Sequence, residues 1–175
     1  MHAQVRRGQF LISTDPGLID LDLVHGLLRT AYWCRDIPRQ TVLRGIEHSL
    51  TFGVYDTGVP LDEAMADGPA APAHDPTATV RQVGFARVIT DRATFAYLAD
   101  VFIVDAYRGR GLSAWLVQTI LAHPDLQGLR RFCLLTRDAH GLYAKFGFKP
   151  MPDASRYMER WDPEVYSRAA GAAPR

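Results

Sequence analysis

The run from Val101 to Ser113, VFIVDAYRGRGLS, constrains this chain more than any other stretch. An apolar string with β-branched residues ends in a short turn. Arg108-Gly109-Arg110-Gly111-Leu112-Ser113 follows, and Ala114-Trp115-Leu116-Val117 then opens a helix. Two glycines within three residues let the backbone turn tightly and bring its N–H groups close to a ligand. The helix start supplies unpaired N–H donors and the positive end of the helix dipole. Arg108 and Arg110 add full positive charge, and ordering two arginines at such a turn is costly without an anion. Together these parts make a cradle for a pyrophosphate.

Three known loops bear comparison. A Walker loop needs four residues between its first glycine and Gly-Lys-Ser/Thr, and no such string occurs. Gly109, Gly111 and Ala114 formally match the dinucleotide fingerprint G-x-G-x-x-G/A, which would make the chain a nucleotide-binding oxidoreductase. Those glycines should follow the strand almost directly. Here Asp105 to Arg108 intervene, and the chain beyond has room for only one more substantial helix. The third comparison fits better. The run resembles the acetyl-CoA-binding motif Q/R-x-x-G-x-G/A of the GNAT superfamily of N-acetyltransferases, with Arg108 first and Gly111 fourth. Ser113 stands where Gly or Ala is usual; serine is small and can cap a helix. A second segment, Asp138 to Phe148, looks like the superfamily's A-x-x-x-Y-x-K-x-G-F element through Ala139, Tyr143, Lys145, Gly147 and Phe148. Asp138 occupies a position that is often Asn. The resemblance is close over about residues 95 to 150 and general in the N-terminal half.

The resemblance implies an α+β fold: a mostly antiparallel twisted sheet of six to seven strands flanked by about four helices. It implies acetyl-CoA as acyl donor, held by Phe102, Ile103 and Val104, by Arg108, Gly109, Arg110, Gly111, Leu112 and Ser113, and by Asp138 and Tyr143. It implies acetyl transfer to a primary amine of a small molecule or peptide by direct attack, with Tyr32, Trp33, Asp36 and Arg87 on the acceptor side. Pattern alone supports only helices layered on a sheet.

A length of 175 residues is that of one domain with a full core, and 47% hydrophobic and 22% charged residues are ordinary for a globular chain. The net charge of +1 leaves no basic excess for nucleic acid. No apolar run reaches membrane-spanning length, and Phe10-Leu11-Ile12 is too short for a signal peptide. Cys34 and Cys133 need not pair, and Cys133 lies in the apolar string Arg131 to Leu135, which predicts a buried free thiol in a reducing cytoplasm. The six histidines show no metal-ligand spacing, so no metal is expected. A homodimer is left open.

Read along the chain, residues 1–165 form the domain and 166–175 a flexible tail. Gln9 to Ser13 is a first strand, and Asp15-Pro16-Gly17 opens a helix whose stripe is Leu21, Val24, Leu27, Leu28 and Ala31. A second helix spans about Arg39 to Ser49, and Leu50 to Tyr55 alternates as a strand. The segment Thr57 to Thr79 has no periodicity and reads as a surface insertion, either an active-site flap or a tolerated excursion. Strands follow over Gln82 to Thr90 and Phe95 to Val104, then a helix from Gly111 to His123. Arg131 to Thr136 is a strand, Ala139 to Phe146 a short helix, and Tyr157 to Trp161 a final strand.

Acyl transfer needs the donor held beside the amine, a deprotonated amine and a stabilised leaving thiolate. Within the resemblance, the Tyr143 hydroxyl faces the sulfur; as a residue alone, Tyr143 could equally be a core tyrosine with a structural hydrogen bond. Asp100 interrupts the apolar run Tyr97 to Phe102. A carboxylate there is either a base or acceptor group, or the partner of an arginine such as Arg87. The aromatic loop Tyr32 to Pro38 lines an acceptor site or plugs the core with Trp33. Cys34 has no local signature of a nucleophile. A non-catalytic acyl-CoA-binding protein on the same fold is the alternative from another functional class.

Overall fold

The computed structural model describes residues 2–58 and 80–171. The first two strands, β1 (Gln4–Arg7) and β2 (Phe10–Ser13), form a hairpin. Two helices follow, α1 (Leu21–Leu28) and α2 (Arg39–Glu47), then β3 (Leu50–Asp56), β4 (Arg81–Thr90) and β5 (Phe95–Ile103). Helix α3 (Leu112–Leu121), β6 (Arg131–Cys133), α4 (His140–Ala144) and α5 (Val165–Gly171) complete the order. The six strands lie in sequence order in one sheet, antiparallel except for the parallel pair β5–β6.

Period-two alternation divides the sheet's side chains between two layers. Phe52, Val54, Ala86 and Val88 face α3, whose Leu116, Val117 and Ile120 are fully buried against them. Phe85 points the other way, into a cluster with Val24 and Leu28 of α1 and Val42 and Ile46 of α2. Helix α1 begins where Asp20 accepts from the N–H groups of Asp22 (3.0 Å) and Leu23 (2.9 Å). Asp15 was the expected opener; it instead caps a 3₁₀ turn at Pro16–Leu18, accepting from Gly17 N–H at 2.9 Å.

Two features of the sheet position the site. Strand β5 carries a bulge: Arg87 pairs with Ala99 and Phe85 with Phe102, so Asp100 and Val101 both oppose Ala86. The extra residue resets the alternation. Ala96 and Leu98 face α3, and past the bulge Val101 and Ile103 do so. Asp100 would fall on the α3 core by simple alternation and is instead turned to the α1–α2 side. Its φ of 56° is left-handed, a conformation Asp tolerates better than most residues. The second feature is the parting of β5 and β6, which pair only from Phe95↔Arg131 to Tyr97↔Cys133. Beyond Tyr97, β5 has no strand neighbour on that side among the described residues.

Several expectations need correction. Strand β1 was not anticipated, because all four of its residues are exposed and give no alternation. No strand forms over Tyr157 to Trp161; Met158 and Trp161 are 92% and 74% exposed, and no described segment offers the backbone pairing a strand needs. The sixth strand stops at Cys133, not Thr136. Cys133 is half-buried, its thiol donating to the Ala96 carbonyl at 3.6 Å. Residues expected as tail contribute α5. From residue 59 onward, the proposed insertion to Thr79 lies outside the described residues.

Candidate active site

The cradle is built where β5 ends. The Val104 N–H donates to the Val83 carbonyl (2.8 Å), so the chain leaves the sheet at a fixed point and passes through a 3₁₀ turn at Asp105–Tyr107. Gly109 and Gly111 both have left-handed backbone, with φ of 77° and 72°. A Cβ at Gly109 would meet nothing within 4 Å, and one at Gly111 only Arg7 Nη2 at 3.9 Å, so the space before the loop is open. Gly111 is the N-cap of α3, and no side chain caps the helix. Ser113 was read as a capping residue; it lies inside the first turn and leaves that role to Gly111. Among the described residues the first N–H groups of α3 therefore have no partner, as an anion site requires.

The arginines are held in place around it. Arg108 pairs with Asp105 (2.9 Å) and donates through Nε to the Ile103 carbonyl (3.3 Å). Arg110 lies 5.1 Å over the Tyr107 ring. Arg7, from β1, donates to the Arg110 carbonyl (3.3 Å) and sits 4.7 Å over the Trp115 ring. Leu112 is buried, so it can offer a ligand only its backbone N–H. Phe102 turns away from α3, its ring 6.0 Å from Phe85, and Ile103 is buried in the α3 layer.

A second constellation starts at the bulge. Arg87 Nε donates to Asp100 Oδ2 in a short ion pair whose side chains are 21% and 8% exposed. Arg87 Nη1 reaches Ser49 Oγ at 3.3 Å. The other Asp100 oxygen accepts from Trp33 Nε1 at 3.1 Å. The Trp33 ring meets Tyr32 edge to face at 4.9 Å, and the Tyr32 hydroxyl accepts from Arg137 N–H at 3.1 Å. The Arg137 guanidinium covers the Tyr32 ring at 3.8 Å. One chain of contacts thus links β4, the bulge of β5, the loop after α1 and the loop after β6. Trp33 does not plug the core: it is 47% exposed. Asp36 stands apart, exposed, with φ 60° and its N–H on the Arg29 carbonyl (2.9 Å).

Tyr143 follows on α4, its ring edge-on to Phe148 at 5.9 Å. Burial, then the nearby Tyr32 and Asp138, push its hydroxyl up to about 12. Among the described residues nothing hydrogen-bonds that hydroxyl, whereas Asp138 is exposed beside Arg137 (3.8 Å). Burial also pushes the Cys34 thiol up to about 12, with Asp100 adding to the shift. Cys34 donates to the Leu28 carbonyl at 3.2 Å and stays protonated, so it is no nucleophile.

Sequence reasoning missed Arg7, Ser49, Arg137 and Tyr166. Arg7 meets the cradle across 103 residues, and Arg137 meets Tyr32 across 105, so no local spacing signals either. Tyr166, in the expected tail, packs on the α1–α2 cluster; burial, then Cys34, raises its pKa.

Comparison with known proteins agrees with this geometry. Residues 74–150 match the family described as the acetyltransferase (GNAT) domain. A Gibberella zeae protein named as a "putative acetyltransferase" is 35% identical over 144 residues, covering 79% of this chain and 78% of the relative. A structure from Xanthomonas campestris pv. campestris, titled as such an enzyme of the GNAT family, is 47% identical with a TM-score of 0.74, over 90% of this chain and 96% of that one. A Mycobacterium tuberculosis protein solved in complex with CoA shares the fold at 18% identity and TM-score 0.50, over 81% and 75% of the two chains. The chain belongs to the GNAT family of acetyltransferases.

Proposed function

We propose that the protein transfers an acetyl group from acetyl-CoA to the primary amine of a small molecule or peptide, by direct attack of the amine on the thioester. The observation that carries this reading is Tyr143: a largely buried phenol, kept protonated, with its hydroxyl uncommitted. The uncapped start of α3, with Gly109, Gly111, Arg108 and Arg110, suits the pyrophosphate. The open side of β5 beyond Tyr97 suits the amide-bearing arm of CoA, which can pair with backbone as a strand would.

The pKa of Tyr143 decides what it does. A phenol pushed up to about 12 is a weaker acid than a thiol. Full proton transfer to the leaving thiolate would therefore be uphill. Tyr143 therefore acts as a hydrogen-bond donor to the sulfur as charge develops there. The nitrogen–carbonyl bond forms and the carbon–sulfur bond breaks; the attacking nitrogen releases one proton to solvent water, and the thiolate takes one from it. Asp100, both oxygens already engaged and its charge paired with Arg87, serves the acceptor by position, holding Arg87 and Trp33 at the bulge where the amine lies.

Tyr143→Phe removes one hydroxyl and little volume. Turnover, followed as free thiol, should fall roughly 10- to 1000-fold with CoA affinity nearly unchanged. Wild-type kinetics in the folded variant would remove the tyrosine from the reaction.

A further inference from the structure

On the α1–α2 side of the sheet, next to the Asp100 bulge, lies a cavity of about 370 Å³. Leu28, Val42, Ile46, Phe85 and Ile89 supply an apolar wall. Its charged lining is uneven. Arg87 and Asp100 neutralise each other, whereas Arg44 of α2 also lines the cavity and no carboxylate of the described residues lies within ion-pair distance of it. His48 lines it as well; with that imidazole neutral, the formal balance is two arginines against one aspartate, or +1. Ser49 lines the same space and accepts from Arg87 at 3.3 Å, which leaves its hydroxyl hydrogen to donate. Tyr166 of α5 closes one side.

We propose that this cavity binds the acetyl acceptor and selects one that carries a carboxylate besides its amine. The proposal rests on the acetyl-transfer reading above. Arg44 and the Ser49 hydroxyl hold the carboxylate, the apolar wall holds the body, and the amine lies towards Asp100. A single excess positive charge matches a carboxylate better than a doubly charged phosphate. The volume suits a molecule of amino-acid size. The acceptor is an amino-carboxylate with an apolar body.

The test uses matched acceptors that differ only in the carboxylate: phenylalanine against phenethylamine, and 6-aminohexanoate against pentylamine. Free thiol released from acetyl-CoA gives kcat/KM for each. The carboxylated member of at least one pair should be favoured roughly tenfold or more, since a charge-assisted hydrogen bond is gained. Arg44→Gln should close that gap through KM rather than kcat, and Arg44→Lys should restore part of it. Equal or better turnover of the plain amines, or a gap that survives Arg44→Gln in folded protein, would overturn the carboxylate assignment and leave acetyl transfer standing. Thiol release from no amine, with CoA bound, would overturn transfer itself and this proposal with it.

Discussion

Asp100 shows how one residue can set the geometry of a site. Its two oxygens accept from two different donors, Arg87 Nε and Trp33 Nε1. Asparagine has one carbonyl oxygen and would turn an NH₂ group towards the other donor. Asp100→Asn should therefore lower stability by about 1–3 kcal/mol, and chemical denaturation measures it. On the proposed positioning role of Asp100, the variant should raise acceptor KM and keep the acidic limb of the pH–rate profile. Loss of that limb would make Asp100 the base. Tyr143 makes a separate prediction in alkali. Its folded pKa, about 12, lies above the ordinary 10.0, so the fold favours the neutral phenol. The resulting stabilisation is complete below pH ~10 and lost as pH rises from there through 12. Thermal melts across that window should fall more steeply for wild type than for Tyr143→Phe; parallel curves would contradict the assignment.

Among the elements, the strand–loop–helix unit from β5 to α3 is the most local piece of the site. Gly111 combines a φ of 72° with the N-cap of α3. Gly111→Val would force a β-branched residue into left-handed backbone and set its methyls before the first N–H groups of the helix. CoA affinity by calorimetry should fall roughly tenfold or more in protein that still folds, and an unchanged affinity would refute the cradle. This unit was legible in the sequence because its parts lie within one short run: an apolar strand, two glycines, two arginines and a helix start. Tyr143 was named through the resemblance of Ala139 to Phe148 to the GNAT element, and it lies on α4. The acceptor side was legible as residue types and, for Arg87 with Asp100, as a candidate ion pair. Tyr32, Trp33, Asp100 and Arg87 could be named, but their junction depends on a bulge that alternation conceals. Simple period-two reading sends Asp100 into the α3 core, the opposite face from Arg87. Strand β1 and Tyr166 gave no signal: one is exposed along its whole length, and the other joins the sheet's second layer from a segment without pattern.

At the scale of the whole molecule, the sheet fixes the ends of the segment that separates its halves. Strands β3 and β4 pair from Leu50↔Val88 to Asp56↔Arg81, across an irregularity at Val54/Tyr55. The closing end is tied further: Gln9 Nε2 donates to Asp56 Oδ1 at 2.9 Å, and Thr57 N–H to the Gln9 carbonyl at 2.9 Å. These contacts hold the two chain ends together whatever lies between residues 59 and 79. Two core layers on opposite faces of the same sheet supply the driving force for that pairing. Shortening a connection changes its closure entropy slowly, by about 0.6 kcal/mol for each halving of length. Replacing residues 62–76 with a short Gly/Ser linker should therefore leave the melting temperature and CoA affinity close to wild type, as thermal denaturation and calorimetry would report. A chain that no longer folds would mean that these residues supply core contacts. A fall in acceptor turnover alone, with melting and CoA binding intact, would place them at the acceptor site and support the flap reading over the tolerated excursion.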